Sequence, residues 1–339
     1  MQEIKIGPNQ AGQRFDKFLH KYLPNAGSSF LYKMLRKKNI TLNGKKAEGK
    51  EILELNDKIQ TFFSEETFVK FGGKLPESVN EGEGKFRNNR ADAYLRAYLH
   101  SEMKGVNVLY EDAHVLVMNK PAGILTQKAK EDDISLNEWM IGYLLNKGVI
   151  NDKELELFKP SVVNRLDRNT SGIVLGGISL KGSQRLSQLI KERTIGKYYR
   201  TICVGQIKEA KVLKGSLEKN KLTNKVSVNM AGEGIVTAFV PIDSLQKNMT
   251  YLEVELITGK THQIRAHLAS IKHPIIGDIK YGNDKCNQEM REKYGLKYQL
   301  LHAYRMEFPK IEGELSELSE KTIIAPLPDQ FRIILEELK

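Results

Sequence analysis

Apolar positions recur along the chain at helical and strand spacings, and each spacing predicts an element. Phe15, Phe18, Leu19, Tyr22 and Leu23 form a helical stripe that Pro24 ends. Ser28 or Ser29 can cap a second helix with Phe30, Leu31, Met34 and Leu35 inward, ending in the cations Arg36-Lys37-Lys38, which suit a helix C-terminus. Ile40-Thr41-Leu42 reads as a short strand entering an Asn43-Gly44 turn, and Leu53 to Phe63 reads as returning strand. Apolar residues then thin out. Tyr94, Leu95, Tyr98 and Leu99 bring back helical spacing and predict a short helix within 92–103.

Strand-like spacing dominates from there on. Val108-Leu109-Tyr110 and Val115–Met118 predict paired strands around the turn 111–114. Ser135 can cap a helix carrying Leu136, Trp139, Met140, Tyr143 and Leu144. Val162-Val163 and Ile173-Val174-Leu175 bracket a polar turn, and a helix over 180–190 is closed by Arg193. Residues 197–205 are β-branched and aromatic, a strand; 223–229 and 234–240 are two more. Leu252, Val254 and Leu256 alternate with Tyr251, Glu253 and Glu255, a half-buried strand. Thr261 can cap a helix that holds Arg265 in its first turn, and a last helix begins at Leu327-Pro328 with Phe331, Ile334 and Leu335 inward. The pattern divides the chain into a small module at 1–63, a charged linker with a short helix at 64–105, and a larger unit at 106–339.

Composition narrows the function. A chain of 339 residues is comfortable for two domains, and it has no run of about 18 apolar residues that would predict a membrane helix. Cys203 and Cys286 are far apart and expected as free thiols in a reducing cytoplasm, the expected location. The net charge is +11, densest in residues 1–63, where twelve Lys/Arg face six Asp/Glu. Such a patch attracts phosphate through counterion release, although lysine-rich surfaces also serve solubility.

The chemistry concentrates in Asn164-Arg165-Leu166-Asp167-Arg168-Asn169-Thr170-Ser171-Gly172, a turn with one carboxylate between two guanidinium groups. Turn statistics alone would make Asp167 a structural residue bonded to its own backbone. The stretch is similar, however, to the signature His-Arg-Leu-Asp-x-x-Thr-Ser-Gly of the RluA-type pseudouridine synthases, with Asn164 in place of the usual His. Three further segments resemble that family in order and spacing: Asn119-Lys120-Pro121-Ala122-Gly123, Lys197-Tyr198-Tyr199-Arg200-Thr201 and Gly259-Lys260-Thr261-His262-Gln263-Ile264-Arg265-Ala266-His267. The N-terminal module, two short helices and then Leu42-Asn43-Gly44-Lys45, resembles the RNA-binding module first described in small-subunit ribosomal protein S four.

The resemblance implies an α+β fold, a mixed and mostly antiparallel sheet with flanking helices, beside a small α/β RNA-binding domain. It implies isomerisation of specific uridines to pseudouridine, in large-subunit ribosomal RNA. It assigns Asp167, Tyr199 and Arg265 to catalysis, with Arg265 pairing Asp167 and Tyr199 lying on the target base. It assigns Arg165 to the space left by the flipped nucleotide, and Arg168, Lys197, Lys33, Arg36, Lys37 and Lys38 to RNA. Asn119-Lys120-Pro121 reads as scaffold. No cofactor, nucleotide cofactor or metal is expected: no Walker loop or Gly-x-Gly-x-x-Gly occurs, and His262, His267 and His273 lack zinc-helix spacing. A monomer is expected, with no membrane partner. The rival functions are a non-catalytic RNA-binding ribosome-assembly factor, a synthase acting on transfer RNA, and a glycosidic hydrolase. The hydrolase would want a second positioned carboxylate, and none stands out beside Asp167.

Overall fold

A computed structural model describes residues 1–73, 90–219 and 226–339, so the middle of the expected linker and the start of the strand expected at 223–229 lie outside the described residues. At the N-terminus, β1 (Gln2–Lys5), α1 (Phe15–Tyr22), α2 (Ser28–Arg36), β2 (Ile40–Leu42), β3 (Lys45–Lys46) and β4 (Lys58–Thr61) form a four-stranded sheet, ordered β1-β4-β2-β3, with two helices on it. The helical stripes expected from sequence bury Phe15, Phe18 and Leu19 of α1 and Leu31, Met34 and Leu35 of α2 against Ile40 and Ile59. The strand expected over 53–63 shortens to 58–61, because Leu53 and Asn56 spend their N–H groups on Gln13 and Ile6 instead of a ladder.

The small core also runs past residue 63. Ser64 caps α3 (Glu65–Lys70), whose Phe68 is buried in that core, and Phe71 lies 4.0 Å, ring to ring, from Phe30. The linker expectation averaged the Glu- and Gly-rich composition over 64–105. Two well-placed phenylalanines are enough to order the first part of it. The short helix expected later is α4 (Arg90–Leu99), and Tyr94 and Tyr98 pack it on the larger unit.

That unit contains β5 (Asn107–Glu111), β6 (Val115–Lys120), α5 (Leu136–Asn146), α6 (Asp152–Leu157), β7 (Ser161–Val162), β8 (Ser171–Gly177), α7 (Leu180–Glu192), β9 (Gly196–Val204), β10 (Lys211–Lys219), β11 (Val226–Asn229), β12 (Ile235–Leu245), β13 (Met249–Leu256), α8 (Gln263–Ser270), α9 (Asp284–Tyr294), β14 (Leu301–Glu307), β15 (Thr322–Ile324) and α10 (Asp329–Leu338). The strands make one mixed sheet, β11-β10-β12-β13-β9-β14-β8-β6-β5, with β15 beside β14 and β7 beside β8. Among the described pairings every neighbour is antiparallel except β14 with β8. Alternation explains the layers. Leu116, Met118, Val174, Tyr199, Leu252 and Val254 share one core with α5 and α8. Val115, Val117, Ile173 and Leu175 point the other way, under α7, and Ile202 and Tyr251 under α9 and α10. Strands β6 and β8 are buried on both faces, which is why they read as continuous apolar runs rather than alternating ones.

Two partners share one edge of β8. β7 pairs with Gly176 and Gly177, while β14 pairs with Ser171 and Gly172. The polar turn at 163–170 springs from the end that β14 holds. Gly172 has φ +114, and a Cβ there would stand 2.2 Å from the Ala303 carbonyl oxygen. Gly172→Ala should therefore cost about 2–5 kcal/mol, combining backbone strain with overpacking. Gly313→Ala, at positive φ but in open space, should cost less than half of that in thermal or urea unfolding. Equal losses would remove the close approach as the reason for glycine. No helix among the described residues is long and apolar enough to cross a membrane.

Candidate active site

The turn carrying Asp167 is pinned from every side. Thr170 N–H donates to the Asp167 carbonyl at 3.0 Å and closes it. The Thr126 hydroxyl donates to the Leu166 carbonyl and accepts from its N–H. Asn164, standing where the family favours His, donates to the Ile173 carbonyl and accepts from Leu175 N–H, so it ties the turn to β8. Thr170, Ser171 and Gly172 each meet the segment entering β14: Gln299 donates to the Thr170 hydroxyl, the Ser171 hydroxyl lies 2.8 Å from His302 Nδ1, and Gly172 abuts Ala303. Burial pushes His302 down to about 4, so its ring is neutral at neutral pH.

Lys120 completes the frame. It is fully buried, and its ammonium donates to the carbonyls of Pro121, Ile124 and Arg168 at 3.0–3.1 Å. Burial pushes it down to about 7, with the charge of Asp167 opposing. Three carbonyl oxygens match the three protons of an ammonium. The Asn119-Lys120-Pro121 segment is thus the clamp that fixes the Asp167 turn, the scaffold role expected for it.

Arg265 arrives from α8. That helix is not capped by Thr261. Its cap position is His262, in left-handed conformation, and the helix is anchored instead by the buried Gln263. The Gln263 amide donates to the Val236 carbonyl and the Thr237 hydroxyl, and accepts from the Thr258 hydroxyl and Lys260 N–H. One side chain thereby bolts the helix start to β12. Arg265 in the first turn presents its fork to two carboxylates. Nε and Nη2 donate to Asp278 at 2.7 and 2.8 Å, and Nη1 donates to Asp167 Oδ2 at 2.8 Å.

Asp278 sets the direction of that fork. Its side chain is wholly buried, and Oδ1 also accepts from the N–H groups of Lys280 and Tyr281. Burial alone would raise its carboxyl; the Arg265 bonds and charge and the two backbone donors hold it below the ordinary value. A bidentate pair of this geometry leaves the guanidinium one aimed donor. The side chain of Asp167 is 25% exposed against 7% for Arg265. The reachable carboxylate is therefore the one at the end of the chain.

Tyr199 joins the same place through the sheet. Its strand neighbour on β14 is Ala303, and Ala303 pairs on its other side with Gly172. Burial first, and then the charge of Asp167, push its phenol well above the ordinary value. Asp167, Arg265 and Tyr199, separated in sequence, meet in one corner, where Asp167 is the most exposed member.

Comparisons with known proteins identify the family. Residues 114–270 match the family model described as RNA pseudouridylate synthase. A protein of Rickettsia conorii named ribosomal large subunit pseudouridine synthase C is 31% identical over 317 residues, covering 91% of this chain and 93% of that one. The chain belongs to the RNA pseudouridylate synthase family. Proteins of the same name from Pasteurella multocida and Vibrio cholerae are 30% and 29% identical, covering 99% and 91% of this chain and 93% and 89% of theirs. A solved structure titled human RNA pseudouridylate synthase domain containing 4 shares the fold, with TM-score 0.54 and 21% identity over 73% of this chain and 97% of that chain.

The RNA-facing residues expected of this pseudouridylate synthase fall into three groups. Arg165 is exposed and makes no hydrogen bond or ion pair among the described residues. Arg168 is exposed but spends Nε on the Gly123 carbonyl. Lys197 is half-buried on β9, two residues from Tyr199, where burial lowers its ammonium. Lys33, Arg36, Lys37 and Lys38 are exposed at the end of α2, in the N-terminal module rather than at the Asp167 corner. Sequence reasoning gave no role to Asp278 or His302, which lie in segments that resemble the family, and did not single out Gln299 or Thr126. The usable signal was donor count, since a guanidinium carries five N–H groups and a single carboxylate leaves most of them without an acceptor.

Proposed function

We propose that this synthase converts specific uridines of large-subunit ribosomal RNA to pseudouridine, with Asp167, Arg265 and Tyr199 as its catalytic residues. The single observation that carries the site assignment is the Asp278–Arg265–Asp167 chain, which offers one oriented, solvent-reachable carboxylate at 2.8 Å from a buried guanidinium. In the reaction the N1–C1′ bond breaks, the uracil turns, a C5–C1′ bond forms, the C5 proton leaves and N1 gains one. The product is an isomer, so atoms balance without a cofactor, and none is proposed. The Asp167 carboxylate acts at C1′, by covalent attack or by stabilising positive charge there. Arg265 aims it through the Nη1 hydrogen bond. Tyr199 stacks on the uracil and assists removal of the C5 proton. The target nucleotide leaves its helix at a cost of a few kcal/mol. Arg165, exposed and without an ion pair among the described residues, fills the gap. The ribosomal substrate is supported by the names of the relatives, which match over most of both chains. We place the enzyme in the cytoplasm as a monomer.

Pseudouridine mapping of total RNA from cells with and without the gene tests the substrate. Loss of large-subunit sites supports it, whereas loss confined to transfer RNA moves the substrate and keeps the reaction. The N-terminal module makes a separate prediction. Replacing Lys33, Arg36, Lys37 and Lys38 with Gln should weaken RNA binding and flatten the slope of log K against log salt by about three, from about 0.7–0.9 per phosphate contact. An unchanged slope in a salt titration would detach those residues from RNA. Deleting 1–63 is the poorer test, because Phe68 and Phe71 belong to the same core.

A further inference from the structure

His262 stands beside Asp167 without a part in the ion-pair scheme. Its backbone is left-handed, φ 57 and ψ 15, which costs a non-glycine residue of order 1–2 kcal/mol and persists only where the surroundings enforce it. Its side chain is 13% exposed. Nδ1 lies 3.0 Å from the Tyr281 hydroxyl, and that hydroxyl accepts the Val226 N–H at 2.7 Å. Tyr281 is itself fixed, its N–H on Asp278 and its ring 5.2 Å from the Arg265 guanidinium.

Among the described residues the Tyr281 hydroxyl proton has one acceptor in reach, His262 Nδ1, and on that ground we assign the tautomer in which Nδ1 is bare and Nε2 carries the hydrogen. Nε2 stands 3.8 Å from Asp167 Oδ2, too far for a hydrogen bond. Burial, Arg265 and Lys280 lower the ring below the ordinary histidine value against the opposing charges of Asp167 and Asp278, so it is a neutral donor at neutral pH. This half-buried donor stops short of the reactive carboxylate, so among the described residues its hydrogen is left open to a molecule bound beside Asp167.

We propose that His262 donates its Nε2–H to an oxygen of the target uridine that flanks the glycosidic carbon, either the ribose 2′-hydroxyl or uracil O2. The inference rests on the synthase reading above. If the Asp167 carboxylate works at C1′, these two are the exocyclic oxygens nearest that atom, the ring oxygen being the one that takes up positive charge as the glycosidic bond breaks, and a donor 3.8 Å from the carboxylate spans the distance to them. The bond fixes C1′ against Asp167, which makes His262 a substrate-touching residue and accounts for the strained backbone that places it.

Two substitutions separate this role from a structural one. Asn tolerates the left-handed conformation and keeps a polar atom at the Nδ1 position, toward Tyr281. Gln is worse for the backbone but returns an N–H to the Nε2 position. We expect kcat/KM for pseudouridine formation to fall about 10–100-fold in His262→Asn and His262→Phe and to recover to within about fivefold of wild type in His262→Gln. RNA affinity should stay within about twofold throughout, since phosphate contacts dominate it. Target RNAs carrying 2′-deoxyuridine or 2-thiouridine then identify the oxygen. On the RNA lacking the bonded one, Phe should cost nothing further. A His262→Asn enzyme as active as His262→Gln, a His262→Gln enzyme no better than His262→Phe, or a full Phe penalty on both modified RNAs would each overturn the inference. A wild-type enzyme that forms no pseudouridine is a different failure, that of the synthase reading itself.

Discussion

Asp167→Asn should bind RNA as well as the wild type and form no measurable pseudouridine. Asparagine is nearly isosteric and still accepts the Arg265 Nη1 bond, so the turn keeps its frame of Thr126, Asn164 and Lys120. What is lost is the carboxylate. A neutral amide neither attacks C1′ nor stabilises positive charge there, so the rate should fall by at least about 10³-fold. Stability should change by no more than about 1–2 kcal/mol, because Asp167 is partly exposed and Asp278 remains to neutralise Arg265. Single-turnover kinetics with a filter-binding measurement checks both halves. Retained activity would remove Asp167 from the mechanism. Lost activity with lost binding would turn it into a scaffold residue.

Asp278→Ala should do more damage to the fold. It strands Nε and Nη2 of a guanidinium that is 7% exposed and removes the acceptor of two backbone N–H groups. Breaking one side of a buried pair costs about 3–5 kcal/mol, measurable by urea unfolding. Activity should fall with it, because Arg265 then turns its fork toward Asp167 without a fixed direction. The double variant Asp278→Leu with Arg265→Met separates the two effects. Removing both charges should return much of the stability, since a buried ion pair gains little over apolar packing, while activity stays lost. Recovery of activity in the double variant would show that the ion pair has no part in catalysis.

The two assignments were not equally legible in the chain. Asp167 stands out because a carboxylate between two arginines, inside a turn bracketed by apolar strands, is a local pattern, and the resemblance to the synthase signature gave it a role. Arg265 was assigned by motif as well. Asp278 lies at the end of His273-Pro274-Ile275-Ile276-Gly277-Asp278, a segment whose place in the chain also resembles the family, but nothing in it announced that the carboxylate would be wholly buried. Tyr199 by spacing alone is one more strand aromatic. Its place beside Asp167 depends on β14, a strand that no periodicity in 301–307 had predicted and that pairs with Gly172 on one edge and Tyr199 on the other. The N-terminal boundary went astray for a related reason: composition averaged over a window hid Phe68 and Phe71.

The sequence by itself determined what is local. The stripes of α1, α2 and α10, the Asn43-Gly44 turn, the alternation of β13 and the apolar runs of β6 and β8 follow from side-chain size, backbone preference and the periods 3.6 and 2. The order of the motifs also lies in the sequence, and with it the family. Only the tertiary structure decided what acts across the sheet: the parallel pairing of β14 with β8, the carboxylate that aims Arg265, the Lys120 clamp, and the contact of His262 with Tyr281. Those depend on which residues far apart in the chain come within about 3 Å of each other, and hydrogen bonds and ion pairs form at that range whatever the separation in sequence.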